Sequence, residues 1–103
     1  MGYQKISFAQ AHELLQREKS CCFFDVREEE EYALDHADGA DNFPLDELDE
    51  ESAAERIGAP DTPVLLYCRS GARSYLAAQR LLDFGYERVY DLGGLNGWPY
   101  GSW

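Results

Sequence analysis

The chain is short of positive charge, of cysteine and of long apolar runs. Nine Lys and Arg stand against twenty Asp and Glu, giving a net charge of −11. No basic face is evident, and a nucleic-acid partner needs one to meet its phosphates. The acidic surplus clusters at Glu28 to Glu31 and from Asp46 to Glu55, and reads as a solvated surface. Only three cysteines occur, two of them adjacent (Cys21 and Cys22), and there is no CxxC spacing. Neither a disulfide framework nor a zinc site is suggested by that pattern. No run approaches the about eighteen apolar residues of a membrane-spanning helix. No apolar segment follows Met1-Gly2-Tyr3-Gln4-Lys5, so no signal peptide is expected and a cytoplasmic location is the default reading. Internal repeats and low-complexity segments are missing too.

What is present suffices for one core. The 103 residues are 45% hydrophobic and fit a single domain over 1–103. Gln4-Lys5-Ile6 reads as a short strand. Ser7 with Gln10 forms a capping box for a helix from Phe8 to about Glu18, with Phe8, Ala11, Leu14 and Leu15 on one face. His12, at the edge of that face, is a surface or packing residue. Cys21-Cys22-Phe23-Phe24-Asp25-Val26 suits a strand buried on both sides. Glu28 to Glu31 open a short helix, where carboxylates complement the dipole. Ala40 to Phe43 is a short strand closed by Pro44. Leu45 to Ile57 is helix-compatible but broken near Asp49, and Gly58 to Pro63 is a turn.

The second half is organised around one stretch. Val64-Leu65-Leu66-Tyr67 is a buried strand, Cys68 is the first residue of a tight loop, and a helix runs from Ser74 to about Phe84 with Gly85 as its C′ residue. Tyr75, Ala78, Leu81 and Leu82 face the core, with Ala77 adjoining, while Leu76 falls on the polar side. Arg88 to Asp91 is the last strand, Gly93-Gly94 a turn, and the tail carries Trp98, Pro99 and Trp103. Alternating strands and helices favour an α/β fold, a small, mostly parallel sheet flanked by helices on both faces. Its ligands would bind beyond the C-terminal strand ends. There, loop N–H groups and a helix N-terminus converge on the Cys68 sulfur and favour its thiolate. Arg69 and Arg73 stand ready for an anion.

These residues resemble the rhodanese family of sulfurtransferases. The loop Cys68-Arg69-Ser70-Gly71-Ala72-Arg73 is similar to the family's C-R-x-G-x-[R/T]. Asp25-Val26-Arg27 matches D-x-R. Glu31-Tyr32, His36, Gly39-Ala40, Asn42 and Pro44 follow E-[FY]-x-x-G-H-I-x-G-A-x-N-[IL]-P. Gly93-Gly94 with Trp98 resembles G-G-x-x-x-W. Asp35, Ala37 and Phe43 depart from the pattern, outside the loop. The chain ends soon after Trp98, so a final helix common in the family is expected to be absent or very short.

The resemblance implies a rhodanese-like fold and a thiosulfate sulfurtransferase chemistry. Cys68 would be the catalytic nucleophile, taking a sulfane sulfur from a small anionic sulfur donor such as thiosulfate. The resulting persulfide would pass it to a thiophilic acceptor, cyanide or a thiol. Arg69, Ser70, Gly71, Ala72, Arg73 and Ser74 would bind the substrate, with Arg69 or Arg73 clamping its anionic end and Ser74 capping the helix or donating to the sulfur. Asp25 and Arg27 would be supports rather than reactants. No cofactor and no metal is implied, nor a membrane or nucleic-acid partner. Three other readings stand beside this one. A persulfide carrier or docking module would serve a protein sulfur acceptor. A cysteine phosphatase needs H-C-x5-R, whereas here Tyr67 precedes Cys68 and only four residues separate it from Arg73. An inert, packed thiol would need neither arginines nor a glycine around it.

Overall fold

The computed structural model describes residues 3–95 and 98–101. Trp103 lies outside the described residues. In chain order the elements are β1 (Tyr3–Lys5), α1 (Phe8–Arg17), β2 (Cys22–Asp25), α2 (Glu29–Leu34), β3 (Asp41–Asn42), a single 3-10 turn (Leu45–Glu47), α3 (Glu50–Arg56), β4 (Val64–Cys68), α4 (Ala72–Asp83) and β5 (Val89–Gly94). Local chemistry accounts for the boundaries. Ser7 Oγ accepts the Gln10 N–H at 3.1 Å and Gln10 Oε1 accepts the Ser7 N–H at 2.9 Å, the expected capping box of α1. The break at Asp49 is another such box, with Ser52 opposite it. α4 closes on Gly85 at φ +103, where the Gly85 and Tyr86 N–H groups return to the carbonyls of Leu82 and Leu81.

The five strands form one sheet in the order β1-β5-β4-β2-β3, and every pairing among them is parallel. β4 occupies the centre and is buried along its whole length, as its unbroken apolar run requires. Its side chains alternate between two cores. Val64, Leu66 and Cys68 pack with Ala53 of α3 and with Ala77, Ala78 and Leu81 of α4. Leu65 and Tyr67 pack on the other face with Ala11 and Leu14 of α1, Phe23 and Trp98. Helices therefore cover both faces. No described helix is long and apolar enough to cross a membrane.

Topology places the site. From β2 the chain proceeds to the edge strand β3, whereas from β4 it turns the other way, to β5. The C-terminal ends of β2 and β4 therefore flank the switch point, where the connections part and leave a crevice. β2 delivers Asp25 there and β4 delivers Cys68.

One expectation about α4 fails. Tyr75 does not face the core: it is half exposed and packs edge-on against Tyr3 at 5.8 Å between ring centroids. The buried stripe is Ser74, Ala77, Ala78 and Leu81, at i, i+3, i+4 and i+7, so it centres on small residues one position before the large apolar ones. Leu76 is the half-exposed leucine that the pattern implied.

Candidate active site

Cys68 is the last residue of β4 rather than the first of the loop, paired with Gly94 across the sheet. Helix α4 begins at Ala72, not Ser74, and its N-cap is Gly71 at φ +98, a left-handed conformation that suits glycine. This turn aims two backbone donors at the sulfur. The Gly71 N–H lies 2.9 Å from Cys68 Sγ and the Ser74 N–H 3.4 Å. Ser74 therefore does not cap the helix. It sits buried in the first turn, its hydroxyl 3.7 Å from Sγ and donating to the Gly71 carbonyl at 3.2 Å. The sulfur rests at the positive end of a twelve-residue helix. Cys68 has no exposed surface.

Gly93-Gly94, expected as a turn, is instead the end of β5 and forms the wall against which the loop folds. Leu66 pairs with Asp91 but Tyr67 with Gly93, so Leu92 is an extra residue and β5 bulges. Gly93 takes φ +77 at this bulge, and its N–H is held by Asp91 Oδ1 at 2.8 Å. Gly94 is required for a different reason: a Cβ there would stand 2.4 Å from the Arg69 carbonyl oxygen. Asp91 Oδ2 also accepts the Tyr3 hydroxyl at 2.8 Å; burial, and then this carboxylate, push the Tyr3 phenol up to about 12.

The two loop arginines differ sharply. Arg69 is largely exposed, its nearest carboxylate Glu31 at 4.0 Å. Arg73 forms a two-pronged pair with Glu31, Nη1 to Oε1 at 2.6 Å and Nη2 to Oε2 at 3.1 Å. Glu31 is fixed from behind as well, since Oε1 accepts the Glu28 N–H at 2.9 Å. The Arg73 bonds, then that N–H, hold the Glu31 carboxyl down at about 2.

Asp25 and Arg27 meet on the far side of the crevice. Arg27 Nε and Nη2 donate to the Asp25 carboxylate at 3.0 and 2.7 Å, and the Arg27 N–H adds a third bond at 2.9 Å. Tyr67 Oη donates to Asp25 Oδ2 at 2.8 Å and accepts the Ala37 N–H at 3.0 Å. Arg27 also reaches the Asp35 carbonyl at 2.6 Å. Buried Asp25 raises the affinity of Arg27 for its proton, while burial drives the Tyr67 phenol upward. This network ties the segment after α2 to the strand that carries Cys68.

A family model described as a rhodanese-like domain matches residues 7–99. The chain belongs to this family. Among curated proteins it is 34% identical over 96 residues to the tRNA uridine(34) hydroxylase of Protochlamydia amoebophila (strain UWE25), covering 88% of this chain. The chain spans about 30% of the length of that relative. Among solved structures, a rhodanese with anions from E. coli is 32% identical at a TM-score of 0.74, covering 81% of this chain and 96% of that one. The Alr3790 protein from Anabaena sp. superposes at a TM-score of 0.84 with 22% identity, over 95% of this chain and 90% of that one, a likeness of fold.

In this rhodanese-like domain the structure brings Arg69, Ser70, Gly71, Ala72, Arg73 and Ser74 around Cys68 as one turn, and sets Asp25 and Arg27 apart in their own buried pair. Cys21 and Cys22 are not part of the site. Cys22 pairs in register with Val64, four residues before Cys68, which places it about 13 Å away at the opposite end of the sheet. Burial pushes the Cys21 thiol up to about 12, and raises that of Cys22. Sequence reasoning missed Glu31 as the partner of Arg73, Tyr67 as the partner of Asp25, and Gly94 as the wall of the loop. Alternation along β4 was the available signal for Tyr67, because the neighbour of a core-facing cysteine must face the other way.

Proposed function

We propose that this rhodanese-like domain is a sulfurtransferase that carries sulfane sulfur on Cys68. The observation that carries the reading is the convergence of the Gly71 and Ser74 N–H groups on Sγ at the start of α4. Such donors favour a thiolate, and equally the terminal sulfur of a persulfide once the loop opens to admit it. With thiosulfate, the Cys68 thiolate attacks the outer sulfur. The S–S bond breaks, and its electron pair leaves on sulfite. Cyanide or an acceptor thiolate then attacks the outer persulfide sulfur and restores the Cys68 thiolate. This is nucleophilic catalysis in two half-reactions. Three cysteines free of disulfides go with action in the cytoplasm.

Intact-mass measurement tests the reading. Treatment with excess thiosulfate or an alkyl persulfide should add the mass of one sulfur atom, and cyanide should remove it. Cys68→Ser should stay unchanged throughout. Equal sulfur loading of the Cys68→Ser protein sinks the proposal.

The likeness to the tRNA uridine(34) hydroxylase favours a second reading, in which the domain works as one part of a tRNA-modifying enzyme. Its charge of −11 sets it against direct contact with RNA, which would then be bound elsewhere in such a protein. Salt-sensitive tRNA binding by this chain alone would support a direct role, and its absence would leave RNA contact to the rest of such a protein.

A further inference from the structure

We infer that Glu31 sets donor specificity: by occupying Arg73 it turns the site away from dianionic donors and toward alkyl persulfides with a neutral or cationic head. The inference rests on the sulfur-transfer reading and deepens it. Both Glu31 oxygens engage the guanidinium fork, the geometry that would otherwise grip a sulfonate. The carboxylate is also anchored by the Glu28 N–H, so the pair is built in rather than a loose surface contact. Its depressed carboxyl keeps it ionised at neutral pH. Space beside Arg73 is acidic too. A small cavity there is rimmed by Glu28 and Asp46, and an adjoining groove adds Glu29, Glu30 and Glu47. An incoming dianion meets exposed Arg69 and several carboxylates on this side, and the Lys5 ammonium beside Gly93 on the other wall of the loop. A persulfide R–S–SH offers the same outer sulfur with at most one negative charge there, which a cationic head offsets. The Cys68 thiolate attacks that sulfur, the S–S bond breaks with its electron pair on the R thiolate, and the proton stays with the transferred sulfur.

The test compares thiosulfate with cysteamine persulfide, a cationic donor, in loading of Cys68 followed by mass against donor concentration. Glu31→Gln should raise the second-order rate constant for thiosulfate about tenfold, through half-saturation rather than maximal rate, and leave cysteamine persulfide within about twofold. Glu31→Asp, which keeps the charge, should retain the wild-type preference. Equal changes for both donors, or slower thiosulfate loading in Glu31→Gln, overturn the inference. Should Glu31→Gln fail to fold, Asp46→Asn at an exposed position should shift the donor ratio the same way by about twofold, and an unshifted ratio overturns it. No loading of folded wild-type protein by either donor removes the sulfur-transfer reading itself, whereas an unchanged ratio removes only the role of Glu31.

Discussion

The Tyr67 hydroxyl donates to Asp25 Oδ2 across 2.8 Å, while the next residue, Cys68, points its sulfur to the opposite face of the sheet. One strand end thus serves two purposes: it presents the thiol on one side and anchors the Asp25–Arg27 pair on the other. Asp25→Ala would take from the buried Arg27 charge its two-pronged partner, leaving only the exposed Asp35 carboxylate at 3.7 Å, and should cost about 3 kcal/mol. Tyr67→Phe leaves the buried Ala37 N–H without its acceptor and should cost about 1–3 kcal/mol. Urea unfolding measures both. A loss below about 1 kcal/mol for Asp25→Ala would show that the pair is not what holds the segment after α2.

Gly93 and Gly94 should respond differently to alanine. At Gly93 the strain is backbone, about 1–2 kcal/mol for a left-handed residue, and the new Cβ meets only the flexible end of Lys5 at 2.9 Å. At Gly94 the Cβ meets the Arg69 carbonyl at 2.4 Å, so the loop itself must move. Overpacking of this kind costs about 1–3 kcal/mol. The distinguishing readout is sulfur loading. Gly94→Ala should slow it far more than Gly93→Ala at similar melting temperature, and equal rates would remove the wall role given to Gly94.

Cys21 and Cys22 should be dispensable for sulfur loading. Their thiols are raised by burial and lie at the wrong end of the sheet to attack a Cys68 persulfide. A Cys21→Ala, Cys22→Ala double variant should load one sulfur and release it to cyanide at the wild-type rate. A markedly longer-lived persulfide in that variant would reveal a resolving thiol after all.

Much of the architecture is legible from local chemistry, and the exceptions have a common cause. The Ser7 box, the break at Asp49 and the Gly85 ending are written within four residues of each boundary, and so can be read. The continuous apolar run of β4 announces a buried central strand. Gly93-Gly94 misleads because two glycines suggest a turn, whereas Gly93 answers the bulge in β5 and Gly94 answers the Arg69 carbonyl, about 25 residues away in the chain. The start of α4 misleads because Gly71, with no side chain, leaves no capping signature, whereas the nearby Ser74 carries one. Glu31 reads correctly as a first-turn carboxylate, yet its bond to Arg73 spans 42 residues and exists only once β2 and β4 lie side by side.

That bond should leave a signature in acid. The folded Glu31 carboxyl lies at about 2, below its ordinary 4.5, so the folded state binds fewer protons there than the unfolded chain. Its contribution is therefore fully present above the unfolded value and disappears as pH falls through the folded one. Both partners are partly exposed, which holds the contribution to about 1 kcal/mol. Wild type should exceed Glu31→Gln in stability by about that amount at about pH 7, with the gap closing by about pH 2. Urea midpoints at both ends of this range check it, and high salt at neutral pH should narrow the gap by screening. A gap that persists undiminished to the acid end would mean that Glu31→Gln removes something other than the charge pairing, such as the anchoring of the carboxylate by the Glu28 N–H.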